Sequence, residues 1–245
     1  MKKARCIIFP YLLFCLLFIL IGIGLIFLFS YFSPSSDTEA SLNESPLPLV
    51  IIDPGHGGED GGAIGTNGCF EKDINLSMAK KLSSVLSGMG IKNILTRNTD
   101  TLLYDRNSNF EGRKKYLDMQ ERLRIINSHK NVIFISIHQN AFPQEKYSGF
   151  QTYFSPNSKD SAILAKQIEE GVKALTQPKN NRNAKSSDGK IYLLDEAVCP
   201  AVLLECGFLS NSEECEALCS EEYQNKLCRI IGVCIEHFID SQQQN

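Results

Sequence analysis

The chain has 245 residues, of which 43% are hydrophobic and 22% are charged, a balance that excludes a disordered or fibrous protein. This length is sufficient for one large domain or two small ones. The formal net charge is −3, so the chain lacks the basic balance of nucleic-acid-binding domains, and no nucleic-acid partner is expected.

The first 33 residues have the composition of a membrane segment. No residue from Ile7 to Phe32 is charged, and Lys2, Lys3 and Arg5 precede this run. About 20 apolar residues cross a bilayer as a helix, and preceding basic residues favour a cytoplasmic N-terminus. The run exceeds the apolar part of a cleaved signal peptide and ends in bulky residues, which favours an uncleaved anchor over a cleaved signal. The sequence therefore predicts an anchor at 1–33, with the rest exported to the extracytoplasmic side.

Beyond the anchor, residues 34–47 are rich in serine, proline and glutamate and are predicted to be a flexible linker. One folded domain is predicted over residues 48–241. Its strands are expected at short apolar runs, namely Leu49–Ile52, Ile91–Thr96, Val132–Ile137, Phe150–Phe154, Ile191–Leu194 and Ala201–Leu204. Helices are expected where apolar residues recur at helical spacing, namely from Asp73 as cap to Gly88, over Leu117–Ser128, over Ser158–Leu175, and around Leu227–Phe238.

This alternation of strands and helices predicts a single α/β domain with a mostly parallel central sheet flanked by helices. Residues Thr99 to Tyr116 show weak periodicity, and we expect an insertion or a lid-like loop there.

Three polar side chains stand just past predicted strands of this sheet. His56 follows the first strand, His138 follows Val132–Ile137, and Glu205 follows the last strand. Ligands of open α/β sheets bind outside the carboxyl ends of the strands, so these three residues are expected to meet in one crevice. Glu71, at the start of the first predicted helix, is a fourth candidate.

Two histidines and a carboxylate form the donor set of a catalytic zinc site, which holds three protein ligands and leaves one position open. Zinc lowers the pKa of a bound water to about 7 and polarises a carbonyl, and both effects favour hydrolysis of an unactivated amide. A second carboxylate can carry the proton to the leaving nitrogen. The residue types alone leave open whether Glu71 is the ligand and Glu205 the base, or the reverse.

Four stretches in this order resemble the zinc-dependent N-acetylmuramoyl-L-alanine amidases of the type 3 family: IIDPGHGGEDGGAIG, EKDINL, SIHQNA and PAVLLECGFLSN. The resemblance covers roughly Pro48 to Phe238. It implies that His56, Glu71 and His138 bind one zinc ion and that Glu205 is the catalytic carboxylate. It also implies hydrolysis of the amide between N-acetylmuramic acid and the L-alanine of the peptidoglycan stem peptide.

Within this family, the chain looks most like the germination-specific amidases of spore-forming bacteria. It has one predicted N-terminal anchor, no wall-binding repeats, and the segments RNSNFEGRKKYLDMQER and NRNAK. The resemblance implies action on spore cortex in the developing spore envelope, as a step to the muramic-δ-lactam needed for germination. A separate muramic acid deacetylase would act afterwards. A need for an accessory protein that helps the enzyme hold its metal is left open.

Three further residues are candidates for supporting roles. Arg122 is expected either to bind a carboxylate or muramoyl group of the substrate or to make surface ion pairs, and Asn140 is a candidate substrate-binding residue. Asp53 is expected either to orient His56 as a hydrogen-bond acceptor or to cap the turn that follows it. His129 and His237 are expected to lie on the surface.

Two other functions compete with the amidase. A zinc peptidase that cuts within the stem peptide would use the same chemistry. An inactive wall-binding module would retain the pocket but would no longer catalyse hydrolysis. Seven cysteines follow the anchor, an odd number with no C-x-x-C pair, so we expect mostly reduced, buried thiols.

Overall fold

A six-stranded sheet forms the centre of the protein. The structure is a computed structural model and describes residues 47–107 and 111–243. The strands are β1 (Leu49–Pro54), β2 (Asn93–Leu95), β3 (Val132–Asn140), β4 (Gln151–Phe154), β5 (Lys185–Ser186) and β6 (Ala201–Phe208). Their spatial order is β2-β1-β3-β6-β4-β5, and each neighbouring pair is parallel except β4 with β6. The predicted mostly parallel sheet is therefore confirmed.

Helices cover both faces of this sheet. One face carries α1 (Glu71–Gly88), α3 (Lys159–Thr176), α5 (Ser212–Cys219) and α6 (Glu221–Gln243). The opposite face carries α2 (Lys114–Asn127) and the short α4 (Tyr192–Glu196). The larger hydrophobic core lies under the four helices and the smaller one under the two, so the chain folds as the predicted α/β domain with flanking helices.

The central strands are apolar on both faces because both faces are buried. In β3, Ile135 and Ile137 belong to the larger core, whereas Phe134 belongs to the smaller one. Side chains alternate between faces along a strand, so Ser136 and His138 lie on the same face as Phe134. The face with fewer helices therefore presents polar side chains at the carboxyl end of the sheet.

Two predictions of local structure are wrong. Residues Ile191–Leu194 were expected to form a strand, but Tyr192–Glu196 is a helix whose Leu193 and Leu194 pack into the smaller core. Short apolar runs of this kind fit a strand or a buried helix equally well. Asp73 does not cap α1, because the helix begins at Glu71, whose backbone nitrogen donates to the carbonyl oxygen of Ala63.

Two N-terminal segments lie outside the described residues: the predicted anchor at 1–33 and, apart from Leu47, the predicted linker. Within residues 47–107 and 111–243, the structure contains no helix that combines the length and the apolar character needed to cross a membrane. The domain boundary at 48–241 stays a prediction.

The segment between β2 and α2 is irregular, as its weak periodicity predicts. Its described residues pack against the domain: Leu102 and Tyr104 are buried, and the backbone nitrogen of Leu103 donates to Oδ1 of Asp118 at 2.7 Å. A lid-like role for residues 99–116 stays a prediction.

Candidate active site

The ends of three adjacent strands bring the predicted site residues together. His138 of β3 lies in register with Glu205 of β6, and neighbouring strands of a sheet are about 4.8 Å apart. Pro54, the last residue of β1, pairs with Ile137 of β3, and His56 follows two residues later. The side chains predicted to share one crevice therefore lie at the same edge of the sheet.

Glu71 joins the two histidines from the start of α1. Its Oε2 atom lies 3.2 Å from Nε2 of His56, and its Oε1 atom lies 2.9 Å from Nδ1 of His138. The centroids of the two imidazole rings are 4.9 Å apart. One donor atom from each of the three residues lies within 4.8 Å of the others, which is a spacing that a single metal ion can span.

Backbone groups fix the carboxylate of Glu71 in this position. Its Oε2 atom accepts a hydrogen bond from the backbone nitrogen of Ala63 at 2.9 Å, and its Oε1 atom accepts one from Gln139 at 3.1 Å. Nδ2 of Asn75 also donates to Oε1, at 3.4 Å. A side chain held by this many donors is only 4% exposed and is oriented before any ligand arrives.

Two glycines make room for the cluster. A Cβ atom on Gly55 would lie 2.2 Å from the ring of His138, and one on Gly62 would lie 2.5 Å from Oε2 of Glu71. His56 itself has φ of 61°, in the left-handed region that non-glycine residues rarely adopt. Such backbone strain concentrates at functional sites, where the surrounding structure holds it in place.

The charges of the cluster favour a bound cation. Burial raises the pKa of Glu71, but hydrogen bonds with His138 and His56 outweigh it and hold that pKa well below its usual range. Burial lowers the pKa of His56, but Glu71 and Asp60 outweigh it and leave the pKa above its usual value. The site therefore stabilises positive charge beside an ionised carboxylate.

Glu205 is a carboxylate without a hydrogen-bond partner on one oxygen. Its Oε2 atom is buried and pairs with none of the described residues. Burial raises the pKa of Glu205 to about 7; the two histidines lower it in part, while Glu71 raises it further. A strongly shifted carboxyl group in a cavity is typical of an acid–base residue.

The donor set fits a metal ion. It consists of two imidazoles and one carboxylate, which are the ligands that catalytic zinc sites use. The glycines leave the space that the rings and the carboxylate need. Among the described residues, the cluster of His56, Glu71 and His138 is one of two groups whose donor atoms lie close enough to hold an ion.

Arg122 ties the loop of His56 to helix α2. It is 1% exposed, and its Nη1 atom donates to Asp53 at 2.5 Å and to the carbonyl oxygen of Pro54 at 2.9 Å. Its Nη2 atom donates to the carbonyl oxygen of His56 at 2.7 Å, and its Nε atom donates to Asp118 at 2.8 Å. Every guanidinium nitrogen is thus engaged by the protein, which fits neither the predicted substrate contact nor the alternative surface pair.

Asp53 does not touch His56 and does not cap the turn. Its two oxygens accept hydrogen bonds from Arg122, from Oγ1 of Thr96 at 2.6 Å, and from Oγ of Ser136 at 2.8 Å. Burial raises the pKa of Asp53, but the Arg122 charge and these hydrogen bonds lower it below its usual value. The carboxylate therefore holds Arg122, which in turn donates to the carbonyl oxygen of His56.

Replacing Arg122 by methionine is expected to lower the free energy of unfolding by about 3–5 kcal/mol, because Asp53 and Asp118 would remain buried without the arginine to which both are hydrogen-bonded. The matched control is Arg124→Met on the same helix. Arg124 pairs with Glu121 on the surface, and loss of such a pair costs about 0–1 kcal/mol. Denaturant unfolding of both variants measures the difference, and equal stabilities would contradict the assignment.

Two supporting residues escaped the sequence analysis. Oδ2 of Asp60 lies 2.9 Å from Nδ1 of His56 and fills the orienting role predicted for Asp53. The sequence could have indicated this contact, since Asp60 stands four residues after His56 in the same glycine-rich stretch. Arg97 donates to the carbonyl oxygens of Pro54 and Gly55, both at 2.9 Å, and no local pattern pointed to it.

The remaining histidines lie on the surface, as predicted, whereas the prediction for Asn140 is untested. Nδ1 of His129 lies 3.1 Å from the carbonyl oxygen of Ile125 at the exposed end of α2, and His237 is exposed on α6. Asn140 ends β3 and lines a cavity of about 610 Å³ together with Glu205 and Lys190. Its role in substrate binding stays a prediction.

Comparison with known proteins identifies the class of this domain. The profile of the N-acetylmuramoyl-L-alanine amidase family matches residues 50–237, and the chain belongs to that family. It is a hydrolase of peptidoglycan that cleaves the amide between N-acetylmuramic acid and L-alanine. The family predicted from the four motifs is thereby confirmed.

Individual relatives give a finer comparison. The germination-specific N-acetylmuramoyl-L-alanine amidase of Bacillus subtilis (strain 168) is 36% identical over 218 residues, which cover 87% of this chain and 90% of that protein. AmiA of Escherichia coli (strain K12) is 27% identical over 240 residues, covering 80% and 78% of the two chains. The CwlD amidase of Clostridioides difficile, solved in complex with the GerS lipoprotein, is similar in structure, with a TM-score of 0.74 and 39% identity. The match covers 79% of this chain and 99% of that one.

Proposed function

We propose that this amidase is zinc-dependent, that His56, Glu71 and His138 hold one zinc ion, and that Glu205 carries the proton. One observation supports this most strongly: two imidazoles and an ionised carboxylate converge within 4.8 Å of one another. Glu205 is a less suitable ligand because its pKa is raised, whereas that of Glu71 is lowered. The geometry thus favours one of the two divisions of labour that the sequence left open.

The chain's own residues account for the proton transfers. When bound, a zinc ion supplies Lewis-acid polarisation of the amide carbonyl and a water of lowered pKa. Glu205, in register with His138, accepts a proton from the attacking water and delivers it to the leaving amine of L-alanine. Its pKa of about 7 suits both transfers near neutral pH, because a general acid–base residue works best when its pKa is near the operating pH.

The shape of the site provides a place for the glycan and the peptide. A cavity of about 300 Å³ opens beside His56 and His138, between Met119 of α2 and Tyr192 of α4. Its lining combines apolar side chains, such as Met119 and Leu203, with charged ones, such as Lys115 and Lys190. Lys190 and Ile191 border both this cavity and the one that contains Asn140 and Glu205, so the two cavities share part of their lining. We place substrate contacts at Asn140 on this basis.

Digestion of purified muropeptides tests the proposed function. The expected products are an intact glycan and a peptide with a free L-alanine amino end, identified by mass spectrometry. A chelator is expected to stop the release, and added zinc to restore it. Cleavage inside the stem peptide would establish the alternative zinc peptidase. Binding to the wall without any cleavage would establish an inactive module.

We also propose that the substrate is spore cortex, with the product passed to a muramic acid deacetylase that completes the muramic-δ-lactam. The 36% identity to a germination-specific amidase over most of both chains supports this assignment. Spores that lack the chain are then expected to lack the lactam. A normal lactam content in such spores would refute the proposal.

A membrane-associated accessory protein is a further proposed partner. The structural relative from Clostridioides difficile was solved with a lipoprotein, and that pairing supports a similar partner here. Cross-linking in sporulating cells is expected to capture a lipoprotein with the chain, and its absence from the cross-linked material would refute the proposal.

We propose, finally, that residues 1–33 anchor the enzyme so that the catalytic domain lies on the extracytoplasmic side. The charge-free run from Ile7 to Phe32, with basic residues before it, supports the anchor. The full chain is then expected to need detergent for extraction from membranes. A chain that begins at residue 34 is expected to be extracted without detergent. Extraction of both without detergent would contradict the anchor.

A further inference from the structure

Three cysteines from distant parts of the sequence meet beside the active-site loop. Cys69 precedes α1, whereas Cys215 and Cys219 lie on α5, which follows the strand of Glu205. The three sulfur atoms lie within 4.8 Å of one another. Cys215 and Cys219 are four residues apart, so they share one face of the helix. The seven cysteines of the described residues are free thiols, and these three are the ones that cluster.

The spacing of the sulfurs matches that of ligands around one ion. The Sγ atoms of Cys69 and Cys215 are 3.7 Å apart. Two sulfurs bound to one tetrahedral zinc ion at about 2.3 Å each are separated by about 3.8 Å. A disulfide would require a separation of about 2.05 Å and would leave the third cysteine of the cluster unused.

The loop from Gly65 to Cys69 curves around the sulfurs. The backbone nitrogen of Gly65 donates to the carbonyl oxygen of Cys69 at 2.8 Å, and a Cβ on Gly65 would lie 2.6 Å from the sulfurs of both Cys69 and Cys215. Only glycine therefore allows the backbone to approach this closely. Asn67 contacts all three cysteines through its side-chain amide, at 3.1 to 3.4 Å.

We propose that Cys69, Cys215 and Cys219 form a second metal site, which binds a thiophilic divalent cation such as Zn²⁺ through three thiolates. Cys219 is exposed, so solvent completes the tetrahedron. The ion would tie the loop that leads into Glu71 to the helix that follows Glu205, and would thus brace both sides of the active site. This site is independent of the proposed zinc site, which contains no sulfur.

Cobalt titration of the full chain separates the two sites. The chain is purified in detergent with a thiol-free reductant, stripped of metal, and titrated with Co²⁺. We expect two bound equivalents and a thiolate-to-cobalt charge-transfer absorption in the near ultraviolet. The site of His56, Glu71 and His138 cannot produce this absorption, because it lacks thiolates. In His138→Ala, one equivalent and the full absorption are expected to remain.

Single-cysteine variants identify which thiolates produce the charge-transfer absorption. Cys219→Ser is expected to remove most of it, and this variant should fold because Cys219 is exposed. Cys199→Ser, outside the cluster, is the matched control and is expected to retain both equivalents. The inference is overturned if the wild-type chain shows no thiolate absorption or if Cys219→Ser retains it in full. It is also overturned if unreduced protein from cells contains a disulfide between Cys69 and Cys215.

Discussion

Replacing Glu205 by glutamine is expected to lower kcat by about 10²–10⁴-fold, the range that general acid–base catalysis contributes. Glutamine keeps the shape of the side chain but cannot accept and return the proton. The Oε2 atom of Glu205 has no hydrogen-bond partner among the described residues, so the substitution breaks no bond there. Zinc content and the melting temperature are therefore expected to change little.

The matched control is Glu170→Gln, the same chemical change on the exposed face of α3, where Glu170 lies 3.8 Å from Lys166, its ion-pair partner among the described residues. Its kcat is expected to equal that of the unchanged chain. Activity close to normal in Glu205→Gln would contradict the proton-transfer role. Loss of zinc from that variant would instead make Glu205 a ligand, the division of labour that the residue types alone left open.

Replacing His138 by alanine is expected to remove both zinc and activity. Loss of a group that merely supports a ligand costs about 10–100-fold in metal affinity, so loss of a ligand is expected to cost at least about 100-fold. The substitution also removes the imidazole that lies 2.9 Å from the buried carboxylate of Glu71. Elemental analysis of the purified variant, with the muropeptide digest on the same sample, measures both effects.

His129→Ala is the control for this variant, because His129 is exposed at the end of α2, where its ring nitrogen lies close to Ser128 and to the carbonyl oxygen of Ile125. It is expected to keep normal zinc and normal activity. If His138→Ala retained zinc with wild-type affinity, the assignment of the metal ligands would be wrong. If it lost zinc but remained fully active, the reaction would not depend on the metal.

The convergence of His56, His138 and Glu205 could be predicted because it follows from topology. Each stands where an apolar run ends, and the carboxyl ends of parallel strands share one edge of a sheet. Each of these strands begins with at least four apolar residues because helices cover both faces of the sheet, which makes the apolar runs easy to locate. The sequence therefore predicts the crevice before any contact is known.

Contacts between distant segments could not be predicted in this way. Arg122 was expected to bind the substrate or to make surface ion pairs on a charged helix, yet its partners Asp53 and the carbonyl oxygen of His56 lie more than 60 residues earlier. Cys69 and Cys215 are 146 residues apart, and helix α5, which carries Cys215, was not predicted. The periodicity of apolar residues and the spacing of motif residues do not predict such pairs, because both describe residues within a single helix, strand or loop.

The misassigned helix α4 has a local cause. Leu193 and Leu194 are consecutive apolar residues, and a helix of five residues is too short to show a helical period. Both leucines are buried in the smaller core with Ile126 of α2 and Phe134 of β3, and this packing favours a helix over a strand here. Tertiary packing thus sets the structure of this segment.

A zinc-edge anomalous difference map from crystals of the zinc-loaded enzyme tests the central claim most directly. The proposal predicts a peak at about 2.0–2.2 Å from one donor atom of each of His56, Glu71 and His138, with Glu205 beside it but not bound. No peak among these three side chains in a fully active preparation would contradict the claim, as would a peak coordinated by Glu205 in place of Glu71.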